Sequence, residues 1–170
     1  MNERSLARWG EIGRTLLGLI LVSLACRPTT VRPSFPPVTG AAQAELDLEQ
    51  KSATTVLADV LRSDSLPVTR VVPQDGYIET AWFDARTKQV WRGRKLGGNV
   101  VQIRAWVDPT RTGFSKLTVE TVYRPLADQS VAPRELDRQV PEDHPVGKRV
   151  AEIVTQLAKL YALEPAPTTP

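Results

Sequence analysis

The sequence predicts an α+β fold in which an antiparallel sheet of four to five strands, connected as a meander, carries two helices on one of its faces. Three observations support this prediction. One stripe of apolar residues at helical spacing opens the domain, a second stripe closes it, and short segments rich in β-branched and aromatic residues lie between them. The chain has 170 residues, of which 41% are hydrophobic and 24% are charged, which is typical of one folded domain. The predicted order of elements within residues 43–163 is α-β-β-β-β-β-α.

The first helix is predicted over residues 44–63. Its apolar side chains recur at helical spacing: Leu46, Ala53, Val56, Leu57, Val60 and Leu61. Pro67 closes the segment, because proline cannot continue a helix.

The sheet is predicted from five segments with alternating or β-branched patterns, separated by residues that favour turns. These segments are Val68–Val72, Tyr77–Phe83, Thr87–Lys95, Val100–Val107 and Lys116–Arg124. The turns at residues 73–76, 97–99 and 109–113 are short, which favours antiparallel pairing of successive strands.

A long loop and a second helix complete the predicted domain. Residues 125–145 are charged and contain several prolines, which indicates a surface loop, with a turn of helix around Pro133 to Arg138. The clearest helical pattern in the chain follows, with apolar residues at Val146, Val150, Ile153, Val154, Leu157, Leu160 and Tyr161. Residues 164–170 are rich in proline and threonine and are predicted to be a disordered tail.

Residues 1–25 have the organisation of an export signal. Arg4, Arg8 and Arg14 precede an apolar run over residues 15–25, which is too short for a helix that spans a bilayer. The run ends at Ala25-Cys26, where the sequence resembles bacterial lipoprotein signal peptides; the resemblance implies cleavage before Cys26 and acylation of its sulfur. The alternatives are a conventional signal cleaved nearby and an uncleaved short anchor. The position of the only cysteine at the end of the apolar run favours lipidation.

Lipid on Cys26 would fix where the protein resides. Each buried methylene contributes about 0.8 kcal/mol, so two or three acyl chains hold a protein stably on a membrane. Lipoproteins retained in the inner membrane commonly have Asp after the lipidated cysteine, whereas this chain has Arg27; by that resemblance we expect the periplasmic face of the outer membrane. Residues 26–42 form a predicted Pro-rich tether, which favours extended conformations and holds the domain up to about 40 Å from the lipid.

The sequence gives few signals of catalysis or metal binding. His144 is the only histidine, and no motif of an activated nucleophile accompanies it. The pairs Glu135 with Asp137 and Glu142 with Asp143 lack calcium-loop spacing, so a solvated loop is the favoured interpretation over calcium binding or acid-base chemistry. We therefore predict no catalytic residue, no metal site and no cofactor. The net charge of +3 is too small to indicate a nucleic-acid partner.

Basic residues cluster around one tryptophan in the predicted third strand. They are Arg86, Lys88, Arg92, Arg94 and Lys95, with Trp91 among them. This combination suits an anionic surface, such as lipid headgroups, lipopolysaccharide or an acidic partner protein. The alternative is a charged sheet edge that prevents pairing with other sheets.

Large aromatic residues on the strands are a second candidate for recognition. Alternation places Ile103 and Ala105 on one face of their strand and Trp106 on the other. Since one face packs on the helices, Trp106 is predicted to contact a partner from the remaining face, whereas Trp82 is expected in the core.

A loose motif runs through two of the predicted strands. Residues 75–84, Asp-Gly-Tyr-Ile-Glu-Thr-Ala-Trp-Phe-Asp, are followed by Arg92 and then by residues 101–107, Val-Gln-Ile-Arg-Ala-Trp-Val. Together with the order of elements, this motif resembles the helix-grip domain of the BamC-like lipoproteins, which are accessories of outer-membrane β-barrel assembly. The resemblance covers residues 44–163, one such domain where BamC has two. It implies a helix-grip-like fold and a non-enzymatic, lipid-tethered module that binds another envelope protein.

Two other functions remain open at this point. One is a lipid- or lipopolysaccharide-binding envelope lipoprotein, and the other is a periplasmic hydrolase. A well-packed gap between sheet and helix favours the protein-binding module, an open apolar cavity favours the lipid-binding protein, and buried carboxylates near His144 favour the hydrolase.

Overall fold

The computed structural model of the chain describes residue 30 and residues 32–93, 96–125 and 130–162. These residues form an antiparallel sheet of seven strands with two α-helices, so the predicted α+β class is confirmed. The elements in chain order are β1 (Ala42–Leu46), α1 (Gln50–Ser63), β2 (Val68–Val72), β3 (Tyr77–Thr80), β4 (Phe83–Asp84), β5 (Val100–Arg111), β6 (Phe114–Tyr123), a 3-10 helix (Pro133–Leu136), β7 (Arg138–Gln139) and α2 (Pro145–Leu160).

Five strands form the sheet in the order β1-β6-β5-β3-β2, while the short strand β4 pairs with β5 and the short strand β7 pairs with β6. Tyr77 on β3 lies opposite Trp106 on β5. Phe83 on β4 lies opposite Val101 on the same strand. Tyr77 and Phe83 are six residues apart, whereas their partners Trp106 and Val101 are five residues apart. One extra residue therefore bulges out between β3 and β4.

The strand β1 replaces the beginning of the predicted first helix. The pattern predicts a helix from residue 44, but Ala42–Leu46 is a strand and the helix begins at Gln50. Exposed and less exposed residues alternate along β1, which ends at the buried Leu46. Every residue of β1 pairs with β6. A weak helical pattern is therefore outweighed by an available sheet edge.

The predicted strand Thr87–Lys95 also differs from the structure. Within its described part, Val90 makes one isolated bridge to Phe83 and the remainder forms no ladder. Arg94 and Lys95 lie outside the described residues. The sheet has more strands than the predicted four to five because β1 was assigned to the first helix, β4 is separated from β3 by the bulge, and β7 is only two residues long.

Both helices pack on one face of the sheet, where the core lies. On β5 the core side chains are at alternate positions, as expected for one face of a strand. The core also takes in the inner faces of α1 and α2. Its main members are Ile78, Phe83, Val101, Ile103, Ala105, Val107, Leu117 and Val119 from the sheet, with Ala53, Leu57, Leu61, Val150, Ile153 and Leu157 from the helices.

The opposite face of the sheet is buried as well. Trp106 is 1% exposed, and Arg104 and Gln102 are each 6% exposed. Two segments that the sequence predicted to be a spacer and a surface loop lie against this face. One is residues 32–38, which we call the N-terminal strap, and the other is residues 130–140, which contain the 3-10 helix near the predicted position.

The N-terminal strap is held by polar and aromatic contacts. The Val38 backbone N–H donates to the Glu120 carboxylate at 2.8 Å, and the Phe35 ring lies 6.1 Å from the Trp106 ring. Proline lacks an N–H and favours extended backbone, so such a segment lies on a surface with few hydrogen bonds to satisfy. The part of the predicted tether from Arg32 onward therefore belongs to the domain.

Neither α-helix in the described part of the chain has the length and apolar character needed to cross a membrane.

Candidate functional site

Residues 84–93, which we call the basic loop, begin with a turn that is fixed by Asp84. The Asp84 carboxylate accepts hydrogen bonds from the backbone N–H groups of Arg86 and Thr87 at 3.0 and 2.9 Å, and from the Thr87 hydroxyl at 3.1 Å. The backbone hydrogen bond from Thr87 is the main cause of the lowered pKa of Asp84. The acidic side chain at the start of the loop is thus used to shape the turn.

Lys88 joins the basic loop to the helical layer. Its ammonium group donates to the Asp64 carbonyl oxygen at 2.6 Å and lies 3.2 Å from the Asp64 carboxylate. Arg149 of α2 binds the same carboxylate at 2.9 Å. Burial alone would raise the pKa of Asp64, but the hydrogen bonds from Arg149 and Lys88 outweigh burial and lower it. Lys88, a predicted contact residue, therefore positions the loop.

Two large apolar side chains of the basic loop are exposed. Val90 is 48% exposed and Trp91 is 39% exposed. The Trp91 backbone N–H donates to the Trp82 carbonyl at 2.8 Å, so Trp91 occupies a defined place. Arg86 and Arg92 are exposed on the same loop. Of the predicted contact residues, Arg86, Trp91 and Arg92 are thus exposed on the basic loop, while Arg94 and Lys95 lie outside the described residues.

Trp106, the other predicted contact residue, is buried. It is 1% exposed, between the Phe35 ring at 6.1 Å and the Tyr77 ring at 5.7 Å. The prediction that Trp106 lies on an open face is wrong, because the N-terminal strap covers that face. The Trp106 indole N–H and the Tyr77 hydroxyl have no hydrogen-bond partner among the described residues, and burial raises the pKa of Tyr77.

A buried ionic cluster, which the sequence analysis missed, occupies the centre of the covered face. Arg104 binds the Glu120 carboxylate at 3.0 Å and the Asp137 carboxylate at 2.8 Å. Arg134 binds Glu120 at 2.7 Å, and Arg124 binds Asp137 at 2.8 Å. Asp137 is 4% exposed, so the expectation that it lies in a solvated loop is wrong. The signal in the sequence was a pair of charged residues, Arg104 and Glu120, inside strands that are otherwise rich in β-branched residues.

The cluster connects the sheet to segments that lie far from it in sequence. Each carboxylate binds at least two arginines: Glu120 binds Arg104 and Arg134, and Asp137 binds Arg104 and Arg124. The cluster also joins separate segments, because Arg134 donates to the Pro36 carbonyl of the N-terminal strap at 2.8 Å. Its hydrogen bonds therefore hold the strap and the 130–140 segment on the sheet.

Trp82 connects the cluster to the basic loop. The Arg124 guanidinium lies 5.2 Å from the centre of the Trp82 ring, within the range of a cation–π contact. Trp82 is partly exposed, so it lies at the margin of the covered face and not in the helix-facing core.

His144 lies at the N-terminus of α2 and is partly buried. Burial lowers its pKa, although Asp143 acts in the opposite direction. Its Nδ1 atom has no hydrogen-bond partner among the described residues. The buried carboxylates Glu120 and Asp137 bind arginines and not His144. Within the described residues, no group of three or more histidine, cysteine or carboxylate side chains is placed to hold a metal ion.

A cleft of about 400 Å³ lies between the sheet edge and the first turns of α2. Its walls are mostly apolar and include Val119, Val140 and Val150. Thr121, which is 1% exposed, also lines the cleft, and its hydroxyl has no hydrogen-bond partner among the described residues. The volume is near the lower limit for sites that bind small molecules.

No protein-family model matches this chain, and no curated protein matches it in sequence.

Proposed function

We propose that this chain is a non-enzymatic envelope lipoprotein, attached through lipid on Cys26 to the periplasmic face of the outer membrane, whose domain binds another envelope protein through the basic loop. The main support for the proposal is the set of side chains that the basic loop exposes. The loop exposes Val90, Trp91, Arg86 and Arg92 within one short segment, whereas the strand aromatics Tyr77, Phe83 and Trp106 are buried.

The physical case rests on side-chain type and on rigidity. Tryptophan and arginine are the residues most enriched among those that dominate binding energy at protein interfaces. The Asp84 turn and the Lys88–Asp64–Arg149 bridge fix the loop before any partner arrives. A fixed loop loses little conformational entropy on binding, so more of its contact energy appears as affinity.

The charge of the loop indicates the chemistry of the partner. The basic loop and the two residues that follow it, 84–95, contain five basic residues and one acidic residue. Asp84 is engaged within the turn and Lys88 is paired with Asp64, while Arg86 and Arg92 are exposed. The proposed partner is therefore a protein with an acidic surface and an apolar recess for Trp91. The proposed partner process is outer-membrane protein assembly, and this part of the proposal rests on the resemblance to BamC-like lipoproteins.

The experiment is photo-crosslinking in cells that carry the lipidated chain, with a photoreactive amino acid at position 90 or, as a matched control, at the exposed position 155 on α2. We expect a discrete protein adduct from position 90 and none from position 155. Trp91→Ala should remove the adduct, because a central tryptophan contributes about 2 kcal/mol or more to binding. Equal adducts from both positions, or an adduct that survives Trp91→Ala, would contradict the proposal.

The lipid anchor is tested separately by the intact mass of the protein purified from bacterial membranes. We expect a chain that begins at Cys26 and carries added acyl mass, with that mass absent in Cys26→Ser. A mature chain without acyl mass would contradict the anchor and leave the loop proposal to the crosslinking result.

A second function, binding of a lipid or lipopolysaccharide, is favoured by the cleft with the buried Thr121 hydroxyl. A fluorescent fatty acid added to the purified domain tests it. Ala151→Phe should fill the cleft and abolish binding, whereas Glu152→Gln, at the neighbouring exposed position, should not. Absence of binding to the unaltered protein would exclude fatty acids as the ligand.

A further inference from the structure

Arg32 attaches the beginning of the N-terminal strap to the sheet. Its guanidinium lies 2.7 Å from the Asp108 carboxylate and donates to the Asp75 carbonyl at 3.3 Å. Phe35 and Val38 then bind the sheet as described above. The N-terminal strap is thus part of the domain from Arg32, and only the residues before Arg32 can act as a spacer.

This attachment shortens the tether. Cys26 and Arg32 are six residues apart, and a fully extended chain spans at most about 3.6 Å per residue, or about 22 Å here. Cys26 and residue 42 are 16 residues apart, so a tether running to residue 42 would have had more than twice that reach. Lipid on Cys26 therefore keeps the Arg32 end of the domain close to the bilayer.

Arg32 and the basic loop lie at opposite ends of the sheet. Asp75 is in the turn between β2 and β3, and Asp108 is near the end of β5. Asp84, which begins the basic loop, pairs with Val100 at the start of β5. Val100 and Asp108 are eight residues apart, roughly 27 Å along a strand at about 3.4 Å per residue.

From these distances we propose that the domain stands on its Arg32 end and directs the basic loop away from the anchoring leaflet, so that the loop meets a protein in the periplasm and not the headgroups beneath it. The inference rests on the proposed lipidation of Cys26. A tether of at most about 22 Å is shorter than the roughly 27 Å between the two ends, so the domain cannot stand on its loop end with the Arg32 end farthest from the leaflet. The favoured partner is an acidic protein surface that extends some distance from the membrane.

The test uses single-cysteine probes, which the composition of the chain permits. Cys26 is the only cysteine, so in the acylated protein an introduced cysteine is the only free thiol. Gly98→Cys places a fluorophore at the loop end, where a Cβ would meet no atom within 4 Å. Thr112→Cys places it at the exposed turn between β5 and β6, at the Arg32 end.

The acylated variants are reconstituted into vesicles whose headgroups carry a quencher. We expect several-fold stronger quenching of the probe at position 112 than of the probe at position 98. Insertion of a long Gly-Ser segment before Arg32 should reduce quenching at position 112, because the limit on distance is then removed. Equal quenching at the two positions, or stronger quenching at position 98, would overturn the proposal and identify the bilayer as the surface that the loop contacts.

Failure of the orientation and failure of the anchor give different results. Acylated protein that floats with the vesicles but shows strong quenching at position 98 refutes the orientation alone. Protein that lacks acyl mass and does not float refutes the anchor. The proposed orientation is then refuted as well, because the short segment before Arg32 restrains the domain only if Cys26 is held at the membrane.

Discussion

Trp106 is predicted to contribute to stability and not to partner binding. Trp106→Ala removes a side chain buried between Phe35 and Tyr77, and loss of a buried aromatic lowers the free energy of unfolding by about 3–5 kcal/mol. Trp91→Ala, at an exposed position, should change it by less than about 0.5 kcal/mol. Urea denaturation followed by circular dichroism measures both. Similar losses in the two variants would show that Trp91 also packs in the core.

His144 is predicted to make stability depend on pH near neutrality. Burial lowers its pKa in the folded state, so the unfolded chain binds the proton more readily. The unfolding free energy is therefore highest above the unfolded pKa of about 6.5 and falls as the pH drops below it. His144→Gln should show a flatter melting temperature than the unaltered protein between about pH 7.5 and 5.5. Parallel curves for the two proteins would mean that His144 titrates as it does in the unfolded chain.

Among the secondary-structure elements and connecting segments, the N-terminal strap gives the clearest prediction. Phe35 contacts Trp106, and its ring also lies 4.3 Å from the Arg134 guanidinium. Because Phe35 is only partly buried, Phe35→Ala should lower the unfolding free energy by about 1–3 kcal/mol, less than a fully buried aromatic. Ser34→Ala, at the neighbouring exposed position, is the control and should be neutral. An unaltered stability in Phe35→Ala would indicate that the strap contributes nothing to the fold.

The elements also show what the sequence could and could not predict. α2 was predictable because its apolar residues repeat at a single period over several turns. β1 was not, because in a short segment Leu46 fits a helical stripe and an alternating strand equally well, and pairing with β6 decides between them. The sequence predicts a spacer where the strap lies, because an extended, proline-rich segment has the same pattern whether it lies on a surface or in solvent.

At the scale of the whole molecule, the bridge at Asp64 joins three parts of the fold: the end of α1, the basic loop and α2. Asp64→Ala should loosen the loop, since Lys88 and Arg149 both lose the Asp64 carboxylate and Lys88 keeps only its bond to the carbonyl oxygen at position 64. We expect faster tryptic cleavage after Arg86 and Arg92, measured by mass spectrometry of limited digests. Asp59→Ala, which removes an exposed ion pair with Arg62, should leave the cleavage rate unchanged. Equal rates in all three proteins would show that the Asp84 turn alone holds the loop.

The candidate site was predictable only in part, because the local pattern does not show which segments cover a face of the sheet. The clustering of basic residues around Trp91 is visible in the chain, and the exposure of Arg86, Trp91 and Arg92 agrees with it. Whether Trp106 faces solvent depends on what covers the second face of the sheet. That cover comes from residues 32–38 and 130–140, far from Trp106 in sequence, so strand alternation alone gives no information about it.

The distance in sequence between the strap and its partners has a consequence for how the chain folds. Val38 binds Glu120 across 82 residues, and Pro36 binds Arg134 across 98 residues. Contacts of such separation carry a high loop-closure entropy and form late unless local structure brings their ends together. A chain that emerges N-terminus first from a ribosome or a translocation channel has residues 32–38 available long before Glu120 and Arg134. The segment that is made first is therefore expected to dock late, and until it docks the Trp106 ring and the arginines of that face lack its part of the cover.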